Sequence, residues 1–114
     1  MAYVDGFVIA VPKDRLEEYK KIARDFGPKW KALGALSYVE CVGDEVPQGE
    51  LTSFPRAVMA KDDEVVIFSW ITYPDKATRD AANARIMDDD TMPSEMPFDM
   101  QRMIVGGFET FLEL

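Results

Sequence analysis

The sequence predicts an α+β domain of the ferredoxin-like type, in which an antiparallel sheet carries two helices on one face. Four segments are rich in β-branched and aromatic residues, as strands are, and two segments repeat apolar residues at helical spacing. The order of these segments is β-α-β-β-α-β, which is the order of the ferredoxin-like arrangement. The length of 114 residues suits a single domain over residues 1–114.

The first strand and the first helix are the clearest elements. Residues 3–11 form a β-rich run that ends at Pro12. Between Pro12 and Gly34, apolar residues recur every three or four positions and therefore share one helix face. They are Leu16, Tyr19, Ala23, Phe26, Trp30 and Leu33. Gly34 is suited to end this helix. Pro28 lies inside this pattern, so we expect one kinked helix and not two helices.

The middle of the chain contains two strands and a long connection. The second strand is predicted at residues 36–43. The polar connection at residues 44–55 is long for so small a domain, and such loops tend to be functional or mobile. A further short strand is expected at residues 56–60, before the strongest strand at residues 64–73.

The last third of the chain supplies the second helix and the last strand. Asp75 is the expected N-cap of a helix that ends near Met87. Its inner face is predicted to consist of Ala77, Ala81, Ala84 and Met87. A segment rich in Met and Pro follows at residues 92–100, and the last strand is predicted at residues 102–111.

The strand at residues 64–73 is apolar on both faces, although two helices cover only one face of such a sheet. One face carries Val66, Phe68 and Trp70, and the other carries Val65, Ile67, Ile71 and Tyr73. A large apolar face left open to water favours association, so we expect a homodimer with its sheets packed together, a dimeric α/β barrel. The alternative is that the long connection, with Leu51 and Phe54, folds over the open face.

Charge and residue usage exclude several kinds of partner. Lys and Arg number 13 against 21 Asp and Glu, which gives a net charge of −8 and disfavours nucleic acids and anionic membranes. The apolar runs are too short to span a bilayer, and the N-terminus does not resemble a signal peptide. The single cysteine, Cys41, suits a reducing compartment, so we expect a cytoplasmic protein.

The chain contains no histidine, which removes imidazole chemistry from consideration. A Ser-His or Cys-His nucleophile pair, an imidazole base and a histidine ligand to zinc or haem are all excluded. We expect no cofactor and no metal site.

Five ordered segments resemble the DUF1428 family, a bacterial family of unassigned function. They are residues 3–7, 39–44, 52–57, 66–70 and 96–108. The resemblance implies the dimeric α/β-barrel superfamily, whose members include cofactor-free monooxygenases, isomerase-like proteins and ligand-binding proteins. The family has no agreed catalytic residues, so the resemblance implies none here.

Several side chains are candidates for chemistry. Glu40 and Asp99 are acids in or beside predicted strands, and a partly buried carboxylate can accept a proton. Arg56 and Arg102 can bind a carboxylate or an enolate. The alternative for these two arginines and for the two acids is a structural role, as a cap or in a salt bridge. The candidates for an aromatic pocket, which are also candidates for plain core, are Trp30, Tyr38, Phe68 and Trp70.

Three functions fit these observations. The first is a homodimer that binds a small apolar or aromatic molecule in a pocket between helices and sheet. The second is a cofactor-independent monooxygenase or isomerase that acts on an aromatic or carbonyl substrate. The third is a purely structural or partner-binding dimer.

Overall fold

An antiparallel four-stranded sheet organises the computed structural model, which describes all residues 1–114. The strands are β1 (Tyr3–Pro12), β2 (Ser37–Val42), β3 (Glu64–Tyr73) and β4 (Ile104–Glu109). Their order across the sheet is β2-β3-β1-β4, and every neighbouring pair is antiparallel. The predicted ferredoxin-like α+β fold is thereby confirmed.

Three helices accompany the sheet, and none of them has the length and apolar character needed to cross a membrane. They are α1 (Leu16–Ala32), α2 (Phe54–Ala57) and α3 (Lys76–Met87). The expected single helix does continue through Pro28. Gly34 follows it with a φ of +117°, where a side chain would be strained and would also collide with Thr78.

The prediction of a strand at residues 56–60 is wrong, because the segment begins within the short helix α2. The Ser53 hydroxyl accepts a hydrogen bond from the Arg56 backbone N–H at 3.1 Å, and Pro55 occupies the first turn. Val58 is then buried against Ala10 and Val66, which lie on the sheet face opposite α1 and α3. The α2 region therefore covers one end of this second face.

The predicted inner face of α3 is also wrong. Ala82 and Ile86 are the buried residues of this helix. The four residues expected there are exposed: Ala77, Ala81, Ala84 and Met87. The helix is rotated relative to the prediction because Arg79 turns inward to the buried carboxylate of Asp5, with N···O distances of 2.9 to 3.1 Å.

A buried ion pair joins the start of β3 to the segment before β4. The Arg102 guanidinium donates to both carboxylate oxygens of Glu64 at 2.7 and 2.8 Å, and it also binds Asp99 and the Met59 carbonyl. The Glu64 side chain is only 4% exposed. Hydrogen bonding to Arg102 is the main reason that the pKa of Glu64 falls from 4.5 to about 2.

Replacing Arg102 with Met should lower the free energy of unfolding by about 3 kcal/mol, because a buried carboxylate loses its partner. Since the folded pKa of Glu64 lies below its unfolded value, the wild-type contribution is complete above pH 4.5. This stabilisation by the Glu64–Arg102 pair is lost as the pH falls toward about 2. The free energy of unfolding of the variant should not show this decrease. Urea unfolding between neutral and acidic pH measures both effects.

The matched control is Lys21→Met, which breaks an ion pair whose two side chains are 76% and 57% exposed. We expect a cost below about 1 kcal/mol for this variant. Equal costs for the two variants would contradict a structural role for the Glu64–Arg102 pair.

Candidate functional site

A cavity of about 210 Å³ lies between α1, the sheet and the chain that follows α3. Fourteen of its sixteen lining residues are hydrophobic. The sheet and α1 contribute Phe7, Ile9, Tyr19, Ile22, Ala23, Phe26, Trp30, Tyr38, Glu40, Ser69 and Ile71. The cavity therefore combines a largely apolar wall with very few polar groups, as small-molecule sites do.

Residues 88–103, here called the covering segment, close the cavity on one side. They contribute Met92, Met96, Phe98, Met100 and Met103 to its wall. One end of the segment is held by Lys29, whose ammonium group lies 2.8 Å from the Asp89 carboxylate. The other end is held by Arg102. Unbranched methionine side chains between two anchors give an adaptable wall.

Glu40 is the one charged residue of this wall. It lies on the helix-side face of β2, directly across from the buried Ser69 of β3. Glu40 Oε1 accepts a hydrogen bond from the Tyr19 hydroxyl at 2.8 Å, and Oε2 accepts one from Tyr38 at 2.6 Å. A carboxylate can accept about four hydrogen bonds, so capacity remains for a further donor.

Both tyrosines are held in their protonated, donating form. Burial is the main cause that raises the pKa of Tyr19 well above its ordinary value, and the Glu40 carboxylate adds to it. The pKa of Tyr38 is raised in the same way, by burial first and by its hydrogen bond to Glu40 second. The two hydroxyls therefore donate to the carboxylate at neutral pH.

Backbone packing at α1 lets the helix lie close to Tyr38. A Cβ at the buried Gly27 would come within 3.3 Å of the Tyr38 ring.

On the outer side of the Tyr38 ring, a wider groove of about 680 Å³ opens toward solvent. Its rim includes Lys20, Arg24 and Lys31, and Glu40 borders both the groove and the cavity.

The structure brings together only some of the predicted site residues. Trp30, Tyr38 and Glu40 line the one cavity. Phe68 and Trp70, expected in the same pocket, lie on the opposite sheet face, because they pair across the sheet with Val8 and Gly6. Their placement in a pocket with Trp30 and Tyr38 is therefore corrected.

The other three candidates lie outside the cavity and have partners within the chain. Arg56 donates to the backbone carbonyls of Gln48 and Gly49 and so holds the loop before α2. Asp99 accepts from the Gln101 backbone N–H and pairs with Arg102, whose other donors bind Glu64 and the Met59 carbonyl. None of the three is directed at a ligand in the cavity.

Sequence reasoning missed Tyr19, Ser69 and the methionines as parts of the site. The sequence predicts Tyr19 on the inner stripe of α1 and a Met- and Pro-rich segment at residues 92–100, but it assigns neither of them to the site. A cluster of four methionines between a helix and a strand is the signal that indicates a flexible wall.

Comparison with known sequences identifies the family. A model described as "Protein of unknown function (DUF1428)" matches residues 2–100. The chain belongs to the DUF1428 family. The uncharacterized protein YbaA of Escherichia coli strain K12 is 49% identical over 116 residues, with 99% of both chains covered. A YbaA protein of Shigella flexneri matches to the same extent. The predicted DUF1428 resemblance is thereby confirmed.

A solved structure shares the fold of this DUF1428 chain. It is described as a dimeric ferredoxin-like protein from an uncultured marine organism. The TM-score is 0.67 with 13% identity, and the alignment covers 99% of this chain and 98% of the other. At so low an identity the similarity supports the ferredoxin-like fold alone.

Replacing Glu40 with Gln should lower the pKa values of Tyr19 and Tyr38 toward the ordinary 10.0, because a neutral amide stabilises tyrosinate better than a carboxylate does. Burial persists, so the values should stay above 10.0. Since the folded pKa values exceed the unfolded ones, the associated stability is present below pH 10 and is lost as the pH rises further. Tyrosinate absorbance against pH measures the shift.

The control for this titration is Glu17→Gln, which removes one charge from a side chain that is 82% exposed. It should leave the tyrosinate titration of the wild type unchanged. Identical titrations for Glu40→Gln and the wild type would contradict the described contacts.

Proposed function

We propose that this single domain forms a homodimer that binds a small, largely apolar molecule in the cavity between α1, the sheet and the covering segment. The observation that carries the proposal is a largely apolar cavity with one carboxylate, Glu40, in its wall. Apolar walls supply affinity, and a single polar group fixes the orientation of a ligand. The adaptable methionine wall suits ligands of varied shape.

A second candidate function is proton transfer, because Glu40 can act as a base inside an apolar cavity. Cofactor-independent oxygenation or isomerisation would leave an anionic intermediate, which needs a positive partner or free donors. Arg56 and Arg102 are committed elsewhere, and the hydroxyls of Tyr19 and Tyr38 already donate to Glu40. The geometry therefore favours binding over catalysis.

The homodimer is supported by the sheet face that α1 and α3 leave open. Phe68, Ile104 and Phe108 lie on this face and are 43%, 42% and 63% exposed. The α2 region covers only one end, where Phe54 packs edge-on against Phe68 at 5.7 Å between ring centroids. Closure against a second copy removes the remaining apolar surface from water.

The net charge of −8 and the single Cys41 fit a cytoplasmic dimer that does not bind nucleic acid or membranes. In this proposal the two faces of the sheet have separate roles. The open face joins the subunits, and the helix-side face holds the ligand. The alternative is a purely structural dimer, which would bind no ligand in the cavity.

Filling the cavity should abolish ligand binding. Ala23 lines the cavity from α1, so Ala23→Leu places three additional carbon atoms in that space. We expect naphthylethanol, a neutral aromatic probe, to bind the wild type saturably in isothermal titration calorimetry. The variant should bind it about ten-fold more weakly or worse.

The matched control is Ala81→Leu, which adds the same atoms at an exposed position of α3. It should bind the probe as the wild type does. The absence of saturable binding to the wild type, or equal affinity for Ala23→Leu, would contradict a ligand site in this cavity.

Charges on the open face should separate the subunits. Phe108→Asp and Phe68→Asp each place a carboxylate in the proposed interface, where burial of an unpaired charge is costly. Sedimentation velocity should show a dimer for the wild type and a monomer for either variant. Met87→Asp, at an 86% exposed site on α3, should remain dimeric. A wild type that sediments as a monomer throughout would refute the dimer.

A further inference from the structure

We infer that the ligand is a hydrophobic organic cation, a protonated amine on an aromatic or alkyl body, and that Glu40 is its anionic partner. This inference deepens the proposed function and rests on it. It names the class of ligand, and it follows from the charges and rings around one side chain.

The first observation is that Glu40 has no cationic partner. The ion pairs of the chain join other residues, and Glu40 takes part in none of them. Its two hydrogen-bond donors, Tyr19 and Tyr38, are neutral hydroxyls. Glu40 is half-buried and no ion pair matches its charge, so its carboxylate can still accept an ammonium group from the cavity.

The second observation is the aromatic wall around this carboxylate. The rings of Phe7, Phe26 and Trp30 line the same cavity. Aromatic faces attract ammonium groups, and the Phe26 ring already has the Lys29 ammonium 4.3 Å from its centroid. Aromatic rings and one carboxylate in the same cavity wall are the groups that recognise an organic ammonium ion.

The third observation concerns the charges on the two sides of the cavity. Lys20, Arg24 and Lys31 border the outer groove and would repel a cation there. The covering segment instead carries exposed carboxylates, Asp88, Asp90 and Glu95 among them, next to the methionines of the cavity wall. Together with the net charge of −8, these acids attract a cation to that side.

The test compares three probes that share a naphthalene body and differ in charge. Isothermal titration calorimetry on the full chain measures the affinity for naphthylethylamine, naphthylethanol and naphthylacetate at neutral pH. For the wild type we expect the amine to bind about ten-fold or more tightly than the alcohol, and the acetate to bind weakest. This comparison needs no substitution and therefore does not depend on the folding of a variant.

Glu40→Gln then assigns the preference to one carboxylate. The variant should lose the additional affinity for the amine, so that it binds the amine and the alcohol with similar affinity. Binding of the alcohol shows that the variant has kept its cavity. Glu17→Gln makes the same charge change on the exposed face of α1 and should keep the preference.

The outcomes separate the two proposals. Equal affinity for amine and alcohol, or a preference for the acetate, would overturn the cationic ligand and leave the binding function standing. A preference for the amine that persists in Glu40→Gln would overturn the role of Glu40. Failure of all three probes to bind the wild type would overturn the proposed function itself.

Discussion

The four-stranded sheet is apolar on both faces, but α1 and α3 cover only one of them, and this imbalance determines how the other elements are used. Strand β3 is the centre of it, since Ile67, Ile71 and Tyr73 are buried under the helices while Phe68 and Trp70 lie on the opposite face. The α2 region covers one end of the second face and leaves the remainder exposed. Dimerisation through that face is the consequence that we propose.

The helix-side face of the sheet differs from the open face, because it includes polar side chains among the apolar ones. Glu40 is accommodated there by two tyrosine hydroxyls from α1 and β2, which satisfy the carboxylate in part and leave its charge unpaired. Asp5 and Glu64, whose side chains are almost fully buried, are each bound by an arginine and serve the fold. This contrast is the physical reason for regarding Glu40, and not the other acids, as the ligand partner.

The order of elements and the stripe of α1 were predictable, because both depend on local apolar periodicity. The position of Phe68 and Trp70 was not, since a strand that is apolar on both faces does not reveal which face meets the helices. Long-range pairs were equally inaccessible: Arg79 rotates α3 toward Asp5, which lies 74 positions away. Local capping by Ser53 overrode the β-like composition of residues 56–60. Glu40 and Tyr38 are predictable as neighbours on one strand, but the contact of Tyr19 with Glu40 depends on the packing of α1.

The two faces of the sheet have separate roles in this proposal, and one tryptophan lies on each side: Trp30 of α1 lines the cavity, and Trp70 of β3 lies on the open face. Fluorine NMR of protein labelled with fluorotryptophan reports on both, with Trp30→Phe assigning the signals. We expect naphthylethylamine to shift the Trp30 resonance and to leave the Trp70 resonance in place, whereas dilution to monomer should shift only the Trp70 resonance. A ligand-induced shift confined to Trp70, or a dilution shift confined to Trp30, would contradict these separate roles.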